Sequence, residues 1–137
     1  MSDWNAGVII EFRKNRGKVG GNLEGAPLLL INHTGARTGK LRTHPVMYLK
    51  DGDRYLVFAS KNGAPTNPDW YHNLKAHPDV KIEVGAETID VRAVEITGAE
   101  RDRIYKQQAA RFPQFAEYEK NIKRKIPILA LTPKTRR

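Results

Sequence analysis

The sequence predicts an antiparallel β-barrel with short helices attached, a mainly β or α+β fold. Three observations predict it. Six segments show the apolar runs or the apolar–polar alternation of strands. Most connections between them are too short for parallel crossovers, which need roughly a dozen residues. The chain has 137 residues, 39% of them apolar, which suits one domain with enough apolar surface for a core.

The elements follow in order. Asp3 is a candidate N-cap for a helix over 3–14, and Trp4, Val8 and Phe12 recur at spacing four on one face. Arg13, Lys14, Arg16 and Lys18 follow, so this is a short basic amphipathic element. It either packs on the core with a solvated basic edge or lies on an anionic membrane. Gly17, Gly20, Gly21 and Gly25 mark a flexible connection. Residues 1–25 thus read as a helix plus Gly-rich connection, and residues 26–137 as the barrel domain. Pro27 to His33 and Thr43 to Lys50 read as strands, with Asp51-Gly52 a hairpin turn and Arg54 to Ser60 a third strand. After a loop over 61–66, Asn67-Pro68-Asp69 offers an N-cap, a first-position proline and a first-turn acid for a helix ending before Pro78. Val80 to Val84 and Thr88 to Ile96 alternate as half-buried strands around Gly85-Ala86. Thr97 and Glu100 have capping-box spacing for a helix to about Arg111. Pro113 opens a further helix through Phe115, Tyr118 and Ile122. Ile126 to Thr132 is a last apolar strand, and Lys134 to Arg137 a basic tail.

Composition excludes several function classes. There is no cysteine, so a disulfide scaffold, a thiolate zinc site, an iron–sulfur cluster and a cysteine nucleophile are ruled out. Val8-Ile9-Ile10 is bracketed by Asn5 and Glu11, too short for a signal-peptide core, and no apolar run approaches the ~20 residues of a spanning helix. Gly35 to Lys40 fails the phosphate-loop spacing, and Leu41 stands where a magnesium-ligating hydroxyl belongs. No dinucleotide fingerprint follows a strand. His33, His44, His72 and His77 lack metal-ligand spacing and read as ordinary histidines. Ser60 has no nucleophile elbow around it.

The formal net charge is +9, from 24 Lys plus Arg against 15 Asp plus Glu. It points to an anionic partner: a polyanionic small molecule, a membrane surface or nucleic acid. Three constellations bear on that choice. Thr34 to Thr43 sets Arg37, Lys40 and Arg42 among two glycines and three threonines with no acid. Arginine offers bidentate donors, and glycines let backbone N–H groups face an anion. Phe58-Ala59-Ser60-Lys61, followed by the helix from Asn67, forms a rim for a planar ligand. Phe112, Phe115 and Tyr118, spaced by three, present an aromatic face that either covers a flat ring or packs on the barrel.

Thr34-Gly35, Arg37-Thr38-Gly39, Arg42-Thr43, Pro45, then Asn67-Pro68, Trp70-Tyr71, Asn73-Leu74 and the late Ile126-Pro127-Ile128 carry a resemblance. Over residues ~25–132 the chain resembles the deazaflavin-dependent nitroreductases of actinobacteria. The resemblance implies a split β-barrel, like those that bind FMN, holding the deazaflavin coenzyme F420. It implies hydride transfer from the reduced coenzyme to a quinone, a nitroaromatic compound or another flat, electron-poor acceptor.

Residue by residue, the resemblance implies that Ala36, Arg37, Thr38 and Arg42 hold the coenzyme phosphate and oligoglutamate tail. Thr43, His44, Pro45, Val46 and Met47 would line the next part of the groove. Phe58, Ala59, Ser60 and Lys61 would approach the ring. Asp69, Trp70, Tyr71, His72 and Asn73 would close the phosphate side at a helix N-terminus. Phe115 would lie over the ring. Ser60, Lys61 and Tyr118 are the candidate catalytic residues, and no metal is implied. Tyr118 is the one phenol on a helix where the family often has several, because Phe112 and Phe115 fill two such positions. The expected setting is cytoplasmic, with peripheral contact on the inner face of the cell membrane through the N-terminal helix as an option and a homodimer as another. An FMN- or haem-binding split barrel and a small basic nucleic-acid-binding domain stay open as alternatives, with nucleic acid last in order.

Overall fold

The computed structural model describes residues 3–20 and 27–134. Gly21, Gly25, residues 135–137 and the side chains of Asp3 and Trp4 lie outside that description. In order, the described chain forms α1 (Asp3–Lys14), β1 (Leu28–Thr34), β2 (Leu41–Asp51), β3 (Arg54–Phe58), α2 (Asp69–Ala76), β4 (Asp79–Val84), β5 (Glu87–Ile96), α3 (Gly98–Arg111), α4 (Gln114–Asn121) and β6 (Ile128–Pro133). The strands close a barrel in the order β1-β2-β3-β6-β5-β4, and every neighbouring pair is antiparallel.

The period-two alternation of the strands sorts side chains into three apolar layers. Leu29 and Ile31 of β1, Val57 of β3, Ile82 of β4, Val91 of β5, and Leu129 and Leu131 of β6 fill the barrel interior. Trp70 and Leu74 of α2 close that interior at one end. On the outer wall, Leu28 and Leu30 meet Val8 and Phe12 of α1. Elsewhere on it, Leu49, Leu56, Phe58 and Ile128 meet Ile104, Tyr105 and Phe115 of the α3–α4 pair. Burying one such side chain contributes about 1.5–3 kcal/mol, so each layer anchors its helices firmly.

The apolar face of α1 is therefore packed on the barrel. One cation of its basic edge is tied to the barrel: Arg13 donates to both Glu83 carboxylate oxygens, at 3.0 and 2.8 Å. No helix among the described residues is long and apolar enough to cross a membrane.

Three expected local features differ. Asn67 is not the cap of α2: Pro68 takes that position, with no side-chain cap bond. Thr97 does precede α3 but makes no side-chain cap bond; Glu100 instead accepts from Arg54 at 3.3 Å. Phe112, Phe115 and Tyr118 do not share one helix, because Phe112 caps the C-terminus of α3 and Pro113 starts α4. Proline cannot continue a helix with its missing N–H, so it resets the chain direction there.

Candidate functional site

The β1–β2 turn is built on itself. Gly35 N–H donates to Lys40 O at 2.8 Å, and Gly39 N–H to Gly35 O at 2.9 Å. Lys40 N–H donates to the Thr38 hydroxyl at 3.2 Å. A Cβ on Gly35 would lie 2.6 Å from Thr38 Oγ1, so a side chain there would push the Thr38 hydroxyl aside. The fourth N–H, of Ala36, donates to Asn73 Oδ1 of α2 at 2.8 Å. These four amides are committed within the protein. The expectation that glycine amides face an anion is therefore corrected: what the turn presents is side chains. Arg37, Lys40 and Arg42 are exposed, and none has an acidic partner among the described residues. The Thr38 hydroxyl, already an acceptor, keeps its proton for a further oxygen.

Asn73 does two jobs. Its Oδ1 is fixed by Ala36 N–H, so its Nδ2 donates to His33 Nδ1 at 2.9 Å. The His33 proton then belongs on Nε2, which is buried without a partner. Burial, and the positive neighbours His44 and Arg42, push the His33 pKa down to about 4 against the opposing pull of Asp69. Burial also lowers His44. Both rings are thus neutral under ordinary conditions.

The groove residues on β2 divide by parity. His44 and Val46 pair with Ile31 and Leu29 and share their inward face. Thr43, Pro45 and Met47 pair with Asn32, Leu30 and Leu28 on the outward face. Of these, Met47 packs on the α1 layer, Pro45 is buried, and the Thr43 hydroxyl donates to Asn32 Oδ1 at 2.6 Å. The pleat of the strand thus turns these five side chains to opposite faces of the barrel wall. Tyr71 O–H donates to Glu95 at 3.1 Å across to β5, His72 is exposed, and Trp70 belongs to the interior. The N-terminus of α2, expected to face a phosphate, carries the Asp69 carboxylate in its own first turn. That acid already occupies the positive end of the helix dipole.

The β3–α2 loop is held from behind. Ser60 leads a 3-10 turn over Lys61–Gly63, and Lys61 adopts φ of 50°, uncommon for a residue with a side chain. Lys61 Nζ donates to Thr66 Oγ1 at 3.4 Å. Gly63 lies flat against Tyr118: a Cβ there would come 2.7 Å from the ring, and its φ is 81°. Burial raises the Tyr118 pKa, so the phenol keeps its proton. Phe115 is only 5% exposed and edge-packs on Phe58 and Tyr118 at 5.4 and 5.3 Å between centroids. Packed in this way, Phe115 backs Tyr118 and itself shows little free surface.

Arg124, which carries no strong signal in the sequence, makes five hydrogen bonds to four oxygens of this loop: Ala59 O, Ser60 O, Ala64 O twice, and Asn67 Oδ1, at 2.6–3.2 Å. Here lies the true role of Asn67. The one sequence signal was an arginine two residues before the buried Ile126. It stands between Lys123 and Lys125 in a basic run, which masks it. Among the described residues no group of three or more His, Asp or Glu side chains is placed to hold a metal ion.

Through Asn73, the turn with its three exposed cations is joined to α2, the helix that follows the β3–α2 loop. Comparison with known proteins places the chain in a family. The family model for F420H(2)-dependent quinone reductase matches residues 7–133. The chain is 39% identical over 127 residues to an F420H(2)-dependent quinone reductase of Mycobacterium tuberculosis, covering 88% of this chain and 84% of that one. Among solved structures it is similar to an F420-H2 dependent reductase, FDR-A, at 37% identity and a TM-score of 0.69, covering 77% of this chain and 93% of that one. A second structure, described as a domain-swapped dimer, matches at 34% identity and a TM-score of 0.71, covering 94% and 97%. The chain belongs to the F420H(2)-dependent quinone reductase family and, as a split-barrel oxidoreductase, works with coenzyme F420.

Proposed function

We propose that the β1–β2 turn holds the anionic tail of F420 and that the β3–α2 loop with Tyr118 forms the reacting end of the site. The observation that carries this reading is the turn itself. It exposes three cations with no acidic partner among the described residues, on a backbone locked by its own bonds and by Asn73. That donor set fits a phosphate and a run of carboxylates, which guanidinium groups engage bidentately. Arg37 and Arg42 are the principal holders, with Lys40 as a mobile point charge and Thr38 as a hydroxyl donor.

When bound, the reduced coenzyme supplies a hydride to an acceptor, and the protein supplies orientation and protons. A quinone that gains a hydride also needs a proton to become a hydroquinone. Tyr118, kept protonated by burial, and Lys61, exposed beside Ser60, are the donors at this end. A placed proton donor contributes roughly 10²–10⁴-fold. Phe112 and Phe115 add no donor, which favours quinones over nitro compounds as acceptors. A second copy of the chain fits the domain-swapped relative. A membrane contact would rest on Ile10, exposed beside the α1 cations, and co-sedimentation with anionic liposomes tests it.

Fluorescence titration of F420, with FMN and haem as comparators, tests the main reading. Micromolar binding of F420, weakened at least ~10-fold when Arg37→Ala and Arg42→Ala are combined, is the expected result. Wild-type protein that ignores F420 and takes up FMN or haem overturns it.

A further inference from the structure

We propose that Arg124 is a positioning residue, its guanidinium forming the template on which the 59–67 loop is folded to present Ser60 and Lys61 to the coenzyme. The inference rests on the site reading above only for what the loop presents; the template role stands on this chain's own contacts.

A guanidinium has five N–H donors in a planar fork. In Arg124 all five are used. Nε donates to Ala64 O, Nη1 to Ala59 O and Asn67 Oδ1, and Nη2 to Ser60 O and Ala64 O. Every acceptor belongs to the loop between β3 and α2, and none is a carboxylate. The arrangement is thus a network of neutral oxygens gathered on one cation rather than an ion pair.

The topology explains why this residue can do it. Phe58, the last residue of β3, pairs with Ile128, the first of β6. The loop that leaves β3 and the segment that enters β6 therefore share one end of the barrel. Ala59 N–H donates to Pro127 O at 2.9 Å, fixing the two segments at their base. Beyond that bond the loop is shaped locally, by Gly63 N–H to Ser60 O, Ala64 N–H to Lys61 O and the Tyr118 ring against Gly63, while Arg124 ties residues 59 and 60 to 64 and 67. Its 3-10 turn is three residues long, and Lys61 and the residues at 65 and 66 are exposed. Lys61 stands in a left-handed conformation, which a residue with a side chain keeps only where its surroundings impose it. The carbonyls on either side of that residue are the ones that Arg124 grips. An ammonium cannot substitute, because a point charge with three donors cannot reach oxygens spread over a planar fork.

The experiment uses the full chain as wild type, Arg124→Lys and Arg124→Ala. Amide hydrogen exchange over 59–67 is measured without coenzyme, and F420 affinity and quinone turnover are measured with it. Circular dichroism establishes that each variant is folded. The expected result is faster exchange at Gly63 and Ala64 in both variants, by at least ~10-fold, with the β1–β2 turn unchanged. Turnover falls by up to ~10²-fold, as small misplacements of reacting groups do. Guanidinium ion at low, non-denaturing concentration restores part of the loss in Arg124→Ala. Wild-type exchange in either variant, or full affinity and turnover in Arg124→Lys, overturns the inference. If Arg124→Ala does not fold, Arg124→Lys decides by the same measurements. Failure of the wild type to bind F420 overturns the site reading instead, while the exchange measurement still decides the template.

Discussion

His33 shows how one side chain records its surroundings. Its pKa is lowered to about 4, first by burial and then by His44 and Arg42. An unfolded chain holds this histidine at an ordinary 6.5. Between these values the unfolded state binds more protons, so stability is complete above about pH 6.5 and is lost as pH falls toward about 4. His44 contributes in the same direction. Urea midpoints measured from pH 7 to pH 4.5 should fall in the wild type and fall less in His33→Gln. Gly63 is the second telling residue. Gly63→Ala meets the Tyr118 ring and a φ of 81° together, so a loss of about 1–3 kcal/mol in thermal stability is expected, with lower quinone turnover. Neither role was legible in the sequence. A lone buried histidine looks like any other, and a glycine in a small-residue loop looks like a flexible one. Asn67 misled for a related reason: an asparagine before Pro-Asp has the residue type of a cap, but its amide oxygen is claimed by Arg124 from 57 residues away.

The elements were more legible than the residues because their signals repeat. Alternation placed the strands and turn chemistry placed the hairpins. The same parity divided β2 into an inward row with His44 and Val46 and an outward row with Thr43, Pro45 and Met47. Pro113 placed the α3–α4 break as well, although Phe112 and Phe115 keep helical spacing across it and so read as one aromatic face. α2 shows what an element can do beyond covering a core. Trp70 and Leu74 seal the barrel interior, and Asn73, on the same helix, fixes the turn. Asn73→Ala leaves Ala36 N–H and His33 Nδ1 without partners, at a cost of about 1–3 kcal/mol. Its sharper effect should be on binding. The F420 dissociation constant should rise although no cation has been removed, and a fluorescence titration at fixed salt measures it.

At the scale of the molecule, the net charge of +9 predicted an anionic partner but not its address. The address depends on which cations the fold neutralises. Arg13, Lys75, Lys81 and Arg92 meet acids, while among the described residues the turn cations do not. If they hold a polyanionic tail, F420 affinity should fall steadily as sodium chloride rises from 0.02 to 0.5 M, a range over which screening shortens from about 20 Å to a few Å. Isothermal titrations across that range check it, and a salt-independent affinity would remove the turn from the site. The fold class was readable from strand lengths and short hairpins. The strand order was not, because no local signal places β6 between β3 and β5. That placement governs how the protein comes into being. A ribosome delivers β3 and β5 well before β6, so the emerging sheet carries two unpaired edges that can seed aggregation. Arg124 leaves the ribosome just ahead of β6, so the strand that seals the sheet and the arginine that shapes the loop arrive together. The nascent chain gains its final shape and its capacity for cofactor in one late step, so a chain cut short before residue 124 has neither.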